Sequence, residues 1–343
     1  MSASQMTAPA VPESGVTGEE EDPRRRRKAL ILLFLLGLLA LLLGLAIWYL
    51  LFRQPVPLPP IPATQVPHFA TTYYGVDRPT GIAVSAAGDR IYVTQSGGSR
   101  TAVVLDGNGT KLADMLPPVS TGENHQPTYV AIDPLTSEVY VTDRPTGDIY
   151  VYDAAGTFQR TYAPATPAAG WQPLAIAFDK AGLMYVSNLT GKTPTIEVYS
   201  RDGALTATFG AAENMSFPNG IAVDDGGNVY VTDGNNGRLL VFSKDGTVVG
   251  RVGRGAGAGN LGLPRGVSLD NQGHVFVIDT SGQAGLVYKQ LQPGQDHPDF
   301  VGSFGIQGVG NGEFLYPTGL AIDGRGRLFV ADTSNDRIQM WNY

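Results

Sequence analysis

The sequence predicts an all-β protein, a six-bladed β-propeller, preceded by a single transmembrane helix. Three features lead to this prediction. One phrase recurs six times between residues 78 and 341, an uncharged apolar run covers residues 29–52, and a strand-like segment precedes the first repeat. The repeats indicate the fold class, and the other two features indicate how the chain enters and closes it.

Each repeat begins at a proline and has the length of one propeller blade. The fourth copy, FPNGIAVDDGGNVYVTDGNNGRLLVFS, contains a proline, a strand with a small centre, a glycine turn, a second strand that ends in Asp, and a third strand. The proline spacings are 48, 46, 45, 46 and 53 residues, against roughly 40–50 residues for one four-stranded blade. The prolines are Pro79, Pro127, Pro173, Pro218, Pro264 and Pro317.

Within each repeat, the pattern is that of short strands covered on both faces. Second strands such as NVYVT alternate β-branched and aromatic residues, and glycine turns such as DDGGN join the first two strands. The fifth repeat carries a longer insertion, KQLQPGQDHPD. The centre of the first strand is small in every copy, as expected where blades converge on an axis: Ala83, Ala131, Ala177, Ala222, Ser268 and Ala321.

The segment from His68 to Gly75 is expected to close the ring. Its sequence, HFATTYYG, precedes the first repeat in the position in which FVGSFG precedes the last. The last repeat shows only three strands, so we expect residues 68–75 to pair beside it as the fourth. Closure of this kind removes an exposed sheet edge that would otherwise template aggregation.

The N-terminal part predicts a membrane anchor. Residues 29–52 carry no charge, and as a helix they exceed a ~30 Å hydrocarbon core at ~1.5 Å per residue. Five basic residues precede this run and only Arg53 follows it, which predicts a cytoplasmic N-terminus and an extracellular propeller at the cell membrane. A cleaved signal peptide is the alternative, although its apolar core is usually about 7–15 residues long. Residues 1–28 are expected to be a disordered cytoplasmic tail, and the proline-rich residues 53–67 a semi-rigid spacer.

Composition narrows the chemistry. The chain has no cysteine, which excludes disulfides, thiolate metal sites and a cysteine nucleophile. Its formal net charge is −7; residues 1–28 carry five acidic and five basic side chains and Arg53 adds one positive charge, so the rest carries −8. This balance does not favour nucleic acid as a partner.

The repeats resemble NHL repeats, which form six-bladed propellers in bacterial surface proteins and in eukaryotic scaffolds. The resemblance covers residues 68–343 and is most specific in Phe217–Phe242 and Phe304–Trp341. It implies a propeller that binds proteins, RNA or other ligands. Related six-bladed propellers include lactonases and an amidating lyase, so the fold alone does not determine the function.

Six residues are the candidate ligand site. The loops that enter the first strands and leave the second strands lie on one face of the ring, at the mouth of its channel. We predict ligand contacts from the polar residues that these loops present, while Gln95 and Asp332 hold corresponding positions in the first and last repeats. The six candidates are Asn219, Arg265, Asp143, Asn188, Asp233 and Asp279.

The acidic residues also have a structural interpretation. In DGNNGRL and DTSNDRI, the Asp is followed at fixed offsets by Asn and Arg, which suits a hydrogen-bonded set that braces a turn within one blade. This predicts that the carboxylates are used inside the blades rather than as a cation-binding ring. The two sets are Asp233 with Asn236 and Arg238, and Asp332 with Asn335 and Arg337.

A metal-dependent hydrolase or lactonase of the senescence-marker or gluconolactonase type is the alternative function, with one divalent cation such as calcium or zinc. Asn219 matches a metal-ligating Asn of that family, but Arg265 stands at its next metal position, and the N-terminal Glu ligand has no equivalent. The amidating lyase holds zinc with three channel histidines. The four histidines of this chain match none of those positions: His68, His125, His274 and His297.

The sequence therefore favours a membrane-anchored, extracytoplasmic binding or scaffolding module over an enzyme, with no catalytic residues and no cofactor. The expected partner is an extracytoplasmic protein or glycan bound at the channel mouth. Residues 29–52 are expected to contact the membrane.

Overall fold

The computed structural model describes residues 23–52, 66–118, 124–165, 170–255 and 257–343. These residues form two compact units, one with the N-terminal helix and one with the propeller. Most of the expected tail, residues 1–22, and most of the expected spacer, residues 53–65, lie outside the described residues.

The helix of the first unit, α1, runs from Pro23 to Phe52. Its segment Leu30–Trp48 has a mean hydropathy of 3.1, and no part of that segment is buried. A helix that is apolar on every side suits a lipid surrounding rather than the surface of a globular domain. By length and composition α1 is therefore able to cross a membrane, as an anchor or as a signal sequence.

The second unit contains six four-stranded antiparallel sheets, which confirms the six-bladed propeller. Every inner strand begins at one of the six anchoring prolines, where the missing backbone N–H falls at the first residue of a strand and costs little. The strands are β1 (His68–Tyr73), β2 (Pro79–Val84), β3 (Arg90–Gln95), β4 (Ala102–Asp106), β5 (Lys111–Met115), β6 (Pro127–Ile132), β7 (Val139–Asp143), β8 (Asp148–Tyr152), β9 (Phe158–Tyr162), β10 (Pro173–Phe178), β11 (Met184–Asn188), β12 (Thr195–Tyr199), β13 (Leu205–Phe209), β14 (Pro218–Val223), β15 (Val229–Asp233), β16 (Arg238–Phe242), β17 (Val248–Val252), β18 (Pro264–Leu269), β19 (His274–Asp279), β20 (Ala284–Lys289), β21 (Phe300–Phe304), β22 (Ile306–Gln307), β23 (Glu313–Phe314), β24 (Pro317–Ile322), β25 (Leu328–Asp332) and β26 (Arg337–Asn342).

The first strand of the propeller closes the ring, as the sequence predicts. In the sixth blade the strand order is β24, β25, β26, β1, so the outermost strand comes from the start of the propeller. Phe69 is paired with Trp341, and their rings meet edge to face at 5.9 Å. Tyr73 stacks on Phe329 at 6.4 Å. The two ends of the propeller are therefore joined by a hydrogen-bonded ladder and by aromatic packing.

Neighbouring blades pack with a bulky residue against a small one. Ala83 lies in a cluster with Val130 of the next blade, whereas Ile82 packs with Ala321 of the preceding blade. Adjacent residues of a strand face opposite sides of the sheet, so each inner strand presents its small residue to one neighbour and its large residue to the other. The small centres therefore give room to the next blade rather than to the axis.

A ring of hydroxyl side chains joins all six blades close to the axis. In each blade, a Thr or Ser next to the end of the second strand donates a hydrogen bond to a carbonyl of the following blade's inner strand. The six bonds are Thr94 to Thr128 (2.8 Å), Thr142 to Leu174 (2.8 Å), Ser187 to Pro218 (2.9 Å), Thr232 to Arg265 (2.5 Å), Thr280 to Pro317 (2.6 Å) and Thr333 to Pro79 (2.7 Å). The last of these closes the circle between the sixth and first blades.

The insertion of the fifth repeat folds back on the fourth blade. The backbone N–H of Arg251 donates to the carbonyl of Asp296 (2.9 Å), and the N–H of Leu291 donates to the hydroxyl of Tyr230 (3.0 Å). Leu291 also packs on the apolar cluster between these blades. The insertion thus covers the outer strand of its neighbour.

Candidate functional site at the channel mouth

One face of the ring is built by the loops that carry the candidate residues. Strands alternate in direction within every blade, so the loops that precede β2, β6, β10, β14, β18 and β24 lie on the same face as the loops that follow β3, β7, β11, β15, β19 and β25. This side is called the top face below. The channel of the ring opens at its centre.

The side chains that end the second strands hold the loops that enter the inner strands. All six are buried, between 0% and 6% exposed. In every blade this side chain accepts a hydrogen bond from a backbone N–H one or two residues before the anchoring proline. The pairs are Gln95 with Asp77 (2.8 Å), Asp143 with Gln126 (3.1 Å), Asn188 with Gln172 (3.2 Å), Asp233 with Ser216 (2.6 Å), Asp279 with Leu263 (2.9 Å) and Asp332 with Leu315 (2.7 Å).

The Asp, Asn and Arg sets of the fourth and sixth blades form within one blade, which confirms the bracing interpretation. Asp233 accepts from Asn236 (2.7 Å) and from Nε of Arg238 (2.7 Å). The sixth blade repeats the arrangement, with Asp332 accepting from Asn335 (2.9 Å) and from Nε of Arg337 (2.7 Å).

The remaining three predicted residues brace their loops with other partners. Asp143 lies 3.2 Å from Nδ1 of His125; burial raises the pKa of Asp143, and the charge of His125 acts in the opposite direction. Asn188 donates to Glu197 (2.9 Å). The carboxylate of Asp279 accepts from the hydroxyl (2.9 Å) and the backbone N–H (3.1 Å) of Ser281.

A constriction of the channel is formed by the residue two positions after each proline. Four blades have glycine there, the third blade has Ala175 and the second has Tyr129. A Cβ on Gly220 would lie 2.5 Å from the carbonyl oxygen of Arg265 in the next blade, so glycine is needed for this close approach. These residues line a cavity of about 100 Å³. The glycines are Gly81, Gly220, Gly266 and Gly319.

Tyr129 crosses the channel and connects three blades through a polar cluster. The hydroxyl of Tyr129 lies 3.1 Å from the side-chain amide of Asn219, and Nη1 of Arg265 lies 3.1 Å from the oxygen of that amide. This orientation of the amide is assigned from the hydrogen-bond network, in which its NH₂ group donates to the carbonyl of Phe217. Burial raises the pKa of Tyr129, while the charge of Arg265 lowers it. The hydroxyl therefore stays neutral and able to donate.

A further contact connects the second and fourth blades. The guanidinium of Arg144, in the loop after β7, lies 4.8 Å from the ring centre of Phe217, in the loop before β14. Phe217 has a positive φ of 62° although it precedes a proline. Its carbonyl accepts from the N–H of Gly234 (3.1 Å) and from Asn219, which hold this uncommon conformation.

The structure thus brings only two of the six predicted site residues together, Asn219 and Arg265. The other four lie in separate blades, each bonded to its own entry loop. The sequence analysis did not identify Tyr129. It could have been found because the other five repeats have glycine or alanine at this position, two residues after the proline. Arg144, which directly follows one of the predicted acids, was also missed.

The donor set at Asn219 does not fit a divalent cation. The oxygen that would serve as ligand instead accepts a hydrogen bond from the Arg265 guanidinium, whose positive charge would oppose a cation there. In the part of the chain that the structure describes, no group of three His, Asp or Glu side chains is placed to hold a metal ion.

Comparison with known proteins agrees with this architecture. Residues 215–242 and 314–340 match the sequence model of the NHL repeat family. The chain is similar to Protein lin-41 of Caenorhabditis elegans, 48% identical over 40 residues, which is 12% of this chain and 4% of that protein. A solved structure of a streptogramin B lyase is similar over 79% of this chain and 96% of its own, with a TM-score of 0.55 and 16% identity. This last similarity is one of fold alone.

The second unit is therefore a six-bladed β-propeller that carries a polar cluster at the mouth of its channel. The family matches fall on β14 to β16 and on β23 to β26, the two repeats in which the bracing sets are complete. Two of its six blades match the NHL repeat model, and an apolar helix precedes the propeller in sequence.

Proposed function

We propose that this protein is a membrane-anchored binding module that docks a partner protein, outside the cytoplasm, on the top face of its propeller. The observation that carries the proposal is the distribution of exposed apolar side chains. Among the described propeller residues, ten large apolar side chains are exposed; five lie in top-face loops, four in the outermost strands and only Leu135 on the opposite face. The five are Tyr74, Leu116, Ile306, Val309 and Tyr316.

Four of these five side chains belong to the region of the sixth blade and its closing strand. Val309 is 72% exposed, Ile306 65%, Tyr74 63% and Tyr316 55%. The hydroxyl of Thr72, in β1, lies 3.3 Å from the amide oxygen of Asn311, so the closing strand lies beside the loop that carries Ile306 and Val309. Exposed apolar groups concentrated in one region are typical of a protein interaction site.

The loop that carries Ile306 and Val309 is held in place by hydrogen bonds. Arg337 donates to the carbonyls of Val309 (2.9 Å), Gly310 (2.6 Å) and Glu313 (2.8 Å), and the short strands β22 and β23 pair across the loop. A loop ordered before binding loses little conformational entropy on docking, which favours affinity. The brace of the sixth blade therefore also supports the proposed binding surface.

The experiment is capture with the full chain, purified in detergent through an N-terminal tag and incubated with a solubilised cell-surface extract. Replacing Ile306 and Val309 together by Ser is expected to abolish capture of a discrete protein, while Leu135→Ser, on the opposite face, leaves it unchanged. Unchanged capture by the double variant would refute the top-face proposal. Bound material that survives protease but is lost after periodate treatment would show a glycan instead.

The location is tested separately by thiol labelling, which the absence of native cysteine makes unambiguous. We expect Lys192→Cys, exposed in the propeller, to react with a membrane-impermeant maleimide on intact cells, and Ser4→Cys to react only after lysis. The reverse pattern would contradict the proposed orientation. Loss of residues 1–52 from the mature protein, seen by mass spectrometry, would contradict the anchor.

A further inference from the structure

We propose that the channel mouth is a carboxylate-binding site in which Arg265 receives an acidic group of the docked partner, with Arg144, Tyr129 and Asn219 around it. The inference rests on the proposed binding function, because the partner supplies the carboxylate.

The guanidinium of Arg265 lacks the partner that such a group normally has. Its Nη1 is used by Asn219, but its buried Nε has no hydrogen-bond partner among the described residues. No described carboxylate lies within 4.0 Å of its nitrogen atoms, in contrast to Arg238, Arg327 and Arg337, which each have a close Asp. A buried donor without a partner is costly, which favours a small shift of the side chain that opens this edge to an acceptor.

The free donor has the geometry that a carboxylate needs. The Nε–H and one Nη–H of an arginine point in parallel along one edge of the guanidinium, and the two oxygens of a carboxylate accept both. Asn219 is 1% exposed and bonded on its other sides, which fixes the position of Arg265 before a ligand arrives. Preorganisation of this kind lowers the entropic cost of binding.

The surroundings add a second cation and limit the size of the ligand. Arg144 is exposed, has no described carboxylate within 4.0 Å and is close enough for its charge to act on the Tyr129 hydroxyl, as the charge of Arg265 does. Arg144 thus adds a second positive charge to that of Arg265, in a propeller whose net charge is negative. The cavity at the channel constriction, about 100 Å³, is lined by Tyr129 and Asn219 of this cluster and is too small for a folded segment.

The test uses the full chain in detergent at low ionic strength and isothermal titration with defined probes. N-acetyl-glutamate amide represents an acidic side chain, N-acetyl-alanine with a free carboxylate represents a chain terminus, and N-acetyl-glutamine amide is the neutral control. We expect one or both carboxylates to bind and the neutral probe not to bind; the stronger of the two identifies the source. Absence of carboxylate binding by the wild-type chain, or binding of inorganic phosphate alone, would overturn the proposal.

Variants then assign the site. Arg265→Gln is expected to weaken carboxylate binding about tenfold or more, because a charge-assisted pair is lost. Arg265→Lys, which keeps the charge without the parallel donors, is expected to retain part of the affinity. Arg254→Gln removes the same charge from a nearby top-face loop, where Arg254 donates to the carbonyls of Asn235 and Gly262, and is expected to change the affinity less than twofold. Equal weakening by Arg254→Gln and Arg265→Gln would overturn the assignment.

The capture experiment distinguishes this inference from the proposed function. If Arg265→Gln captures the partner as well as the wild-type chain does, the carboxylate assignment fails and the docking proposal stands. If the carboxylate probes bind the wild-type chain and not Arg265→Gln, while Ile306 and Val309 prove irrelevant to capture, the carboxylate site stands and the top-face apolar surface fails. Melting temperatures of each variant identify any that does not fold.

Discussion

Substitution of Asp332 by Ala tests whether the Asp, Asn and Arg set contributes more to the free energy of unfolding in the blade where its Arg is more buried. Asp332 is 0% exposed and accepts hydrogen bonds from the N–H of Leu315 (2.7 Å), Asn335 (2.9 Å), Arg337 (2.7 Å) and Gln339 (2.9 Å). The side chain of Arg337 is only 4% exposed. Removing the carboxylate therefore leaves a buried cation and three further donors without their acceptor.

The matched substitution is Asp233→Ala in the fourth blade. Asp233 is equally buried, but the side chain of Arg238 is 23% exposed and also lies 4.0 Å from Glu213. Water and Glu213 are then available to Arg238 after the substitution. Loss of one partner of a buried ion pair costs about 3–5 kcal/mol, whereas loss of hydrogen bonds to a group that water reaches costs about 1–2 kcal/mol. We expect Asp332→Ala near the first value and Asp233→Ala near the second.

The assay is urea denaturation of the full chain, in which the midpoint shift at constant slope gives the change in free energy of unfolding. Hydrogen–deuterium exchange across residues 305–316 provides a local measurement, since Arg337 holds the carbonyls of this loop. Asp332→Ala should remove the protection of the loop, and Asp233→Ala should not change it. Equal midpoint shifts for the two variants, or an unchanged exchange pattern in Asp332→Ala, would refute the argument from burial.

Three further predictions concern closure and charge. Thr333→Val removes the hydroxyl that joins the sixth blade to the first at the carbonyl of Pro79 (2.7 Å). We expect urea denaturation to show a free energy of unfolding lower by about 1–3 kcal/mol. The control is Thr206→Val, on an outer strand, which should lower it by less than about 0.5 kcal/mol. Deletion of residues 68–75 removes β1 and exposes the edge of β26, so light scattering should show aggregation and the melting temperature should fall; a monomeric product with unchanged melting would contradict closure. The raised pKa of Asp143 means that its contribution to stability is present below its unfolded pKa of about 4 and is lost as the pH rises through the folded value; Asp143→Asn should therefore gain stability relative to the wild type at pH 7 and not at pH 3.5, and an equal difference at both values would contradict it.

The blades were predictable from the sequence because each repeat carries its own local signals. The anchoring prolines mark the first residue of every inner strand, and the closing strand was recognisable because HFATTYYG repeats the position of FVGSFG. The bracing sets were predictable for a similar reason, since Asp233 and Arg238 face each other across a turn of fixed length. These features depend on residues that are close in sequence or on a repeat that can be aligned with itself.

The polar cluster was only partly predictable because it depends on contacts between blades. Tyr129 and Asn219 are 90 residues apart, and nothing local to either residue indicates that they meet. The hydroxyl ring was hidden for another reason: the hydroxyl precedes the last residue of the second strand in four blades but follows it in the fifth and sixth, as Thr280 and Thr333. Aligning the repeats therefore does not place the six hydroxyl residues at one position, although they form a continuous ring in the folded structure.

The comparison of blades also supports placing the proposed binding site where the repeats differ. Side chains that are equivalent in all six blades are already hydrogen-bonded within the propeller. In each blade, the side chain that ends the second strand accepts a bond from the entry loop, and a neighbouring hydroxyl donates to the next blade. Tyr129 stands where four other blades have glycine, and Arg265 follows its proline without an acid beside it. The side chains of these two residues bring polar atoms beyond those that form the hydroxyl ring and hold the entry loops. Residues that differ between blades are therefore the better candidates for a binding site, because they make the channel asymmetric. Arg265 bonds Asn219 through Nη1, but its Nε has no partner among the described residues, which is why we propose it as the residue that recognises a ligand at the channel mouth.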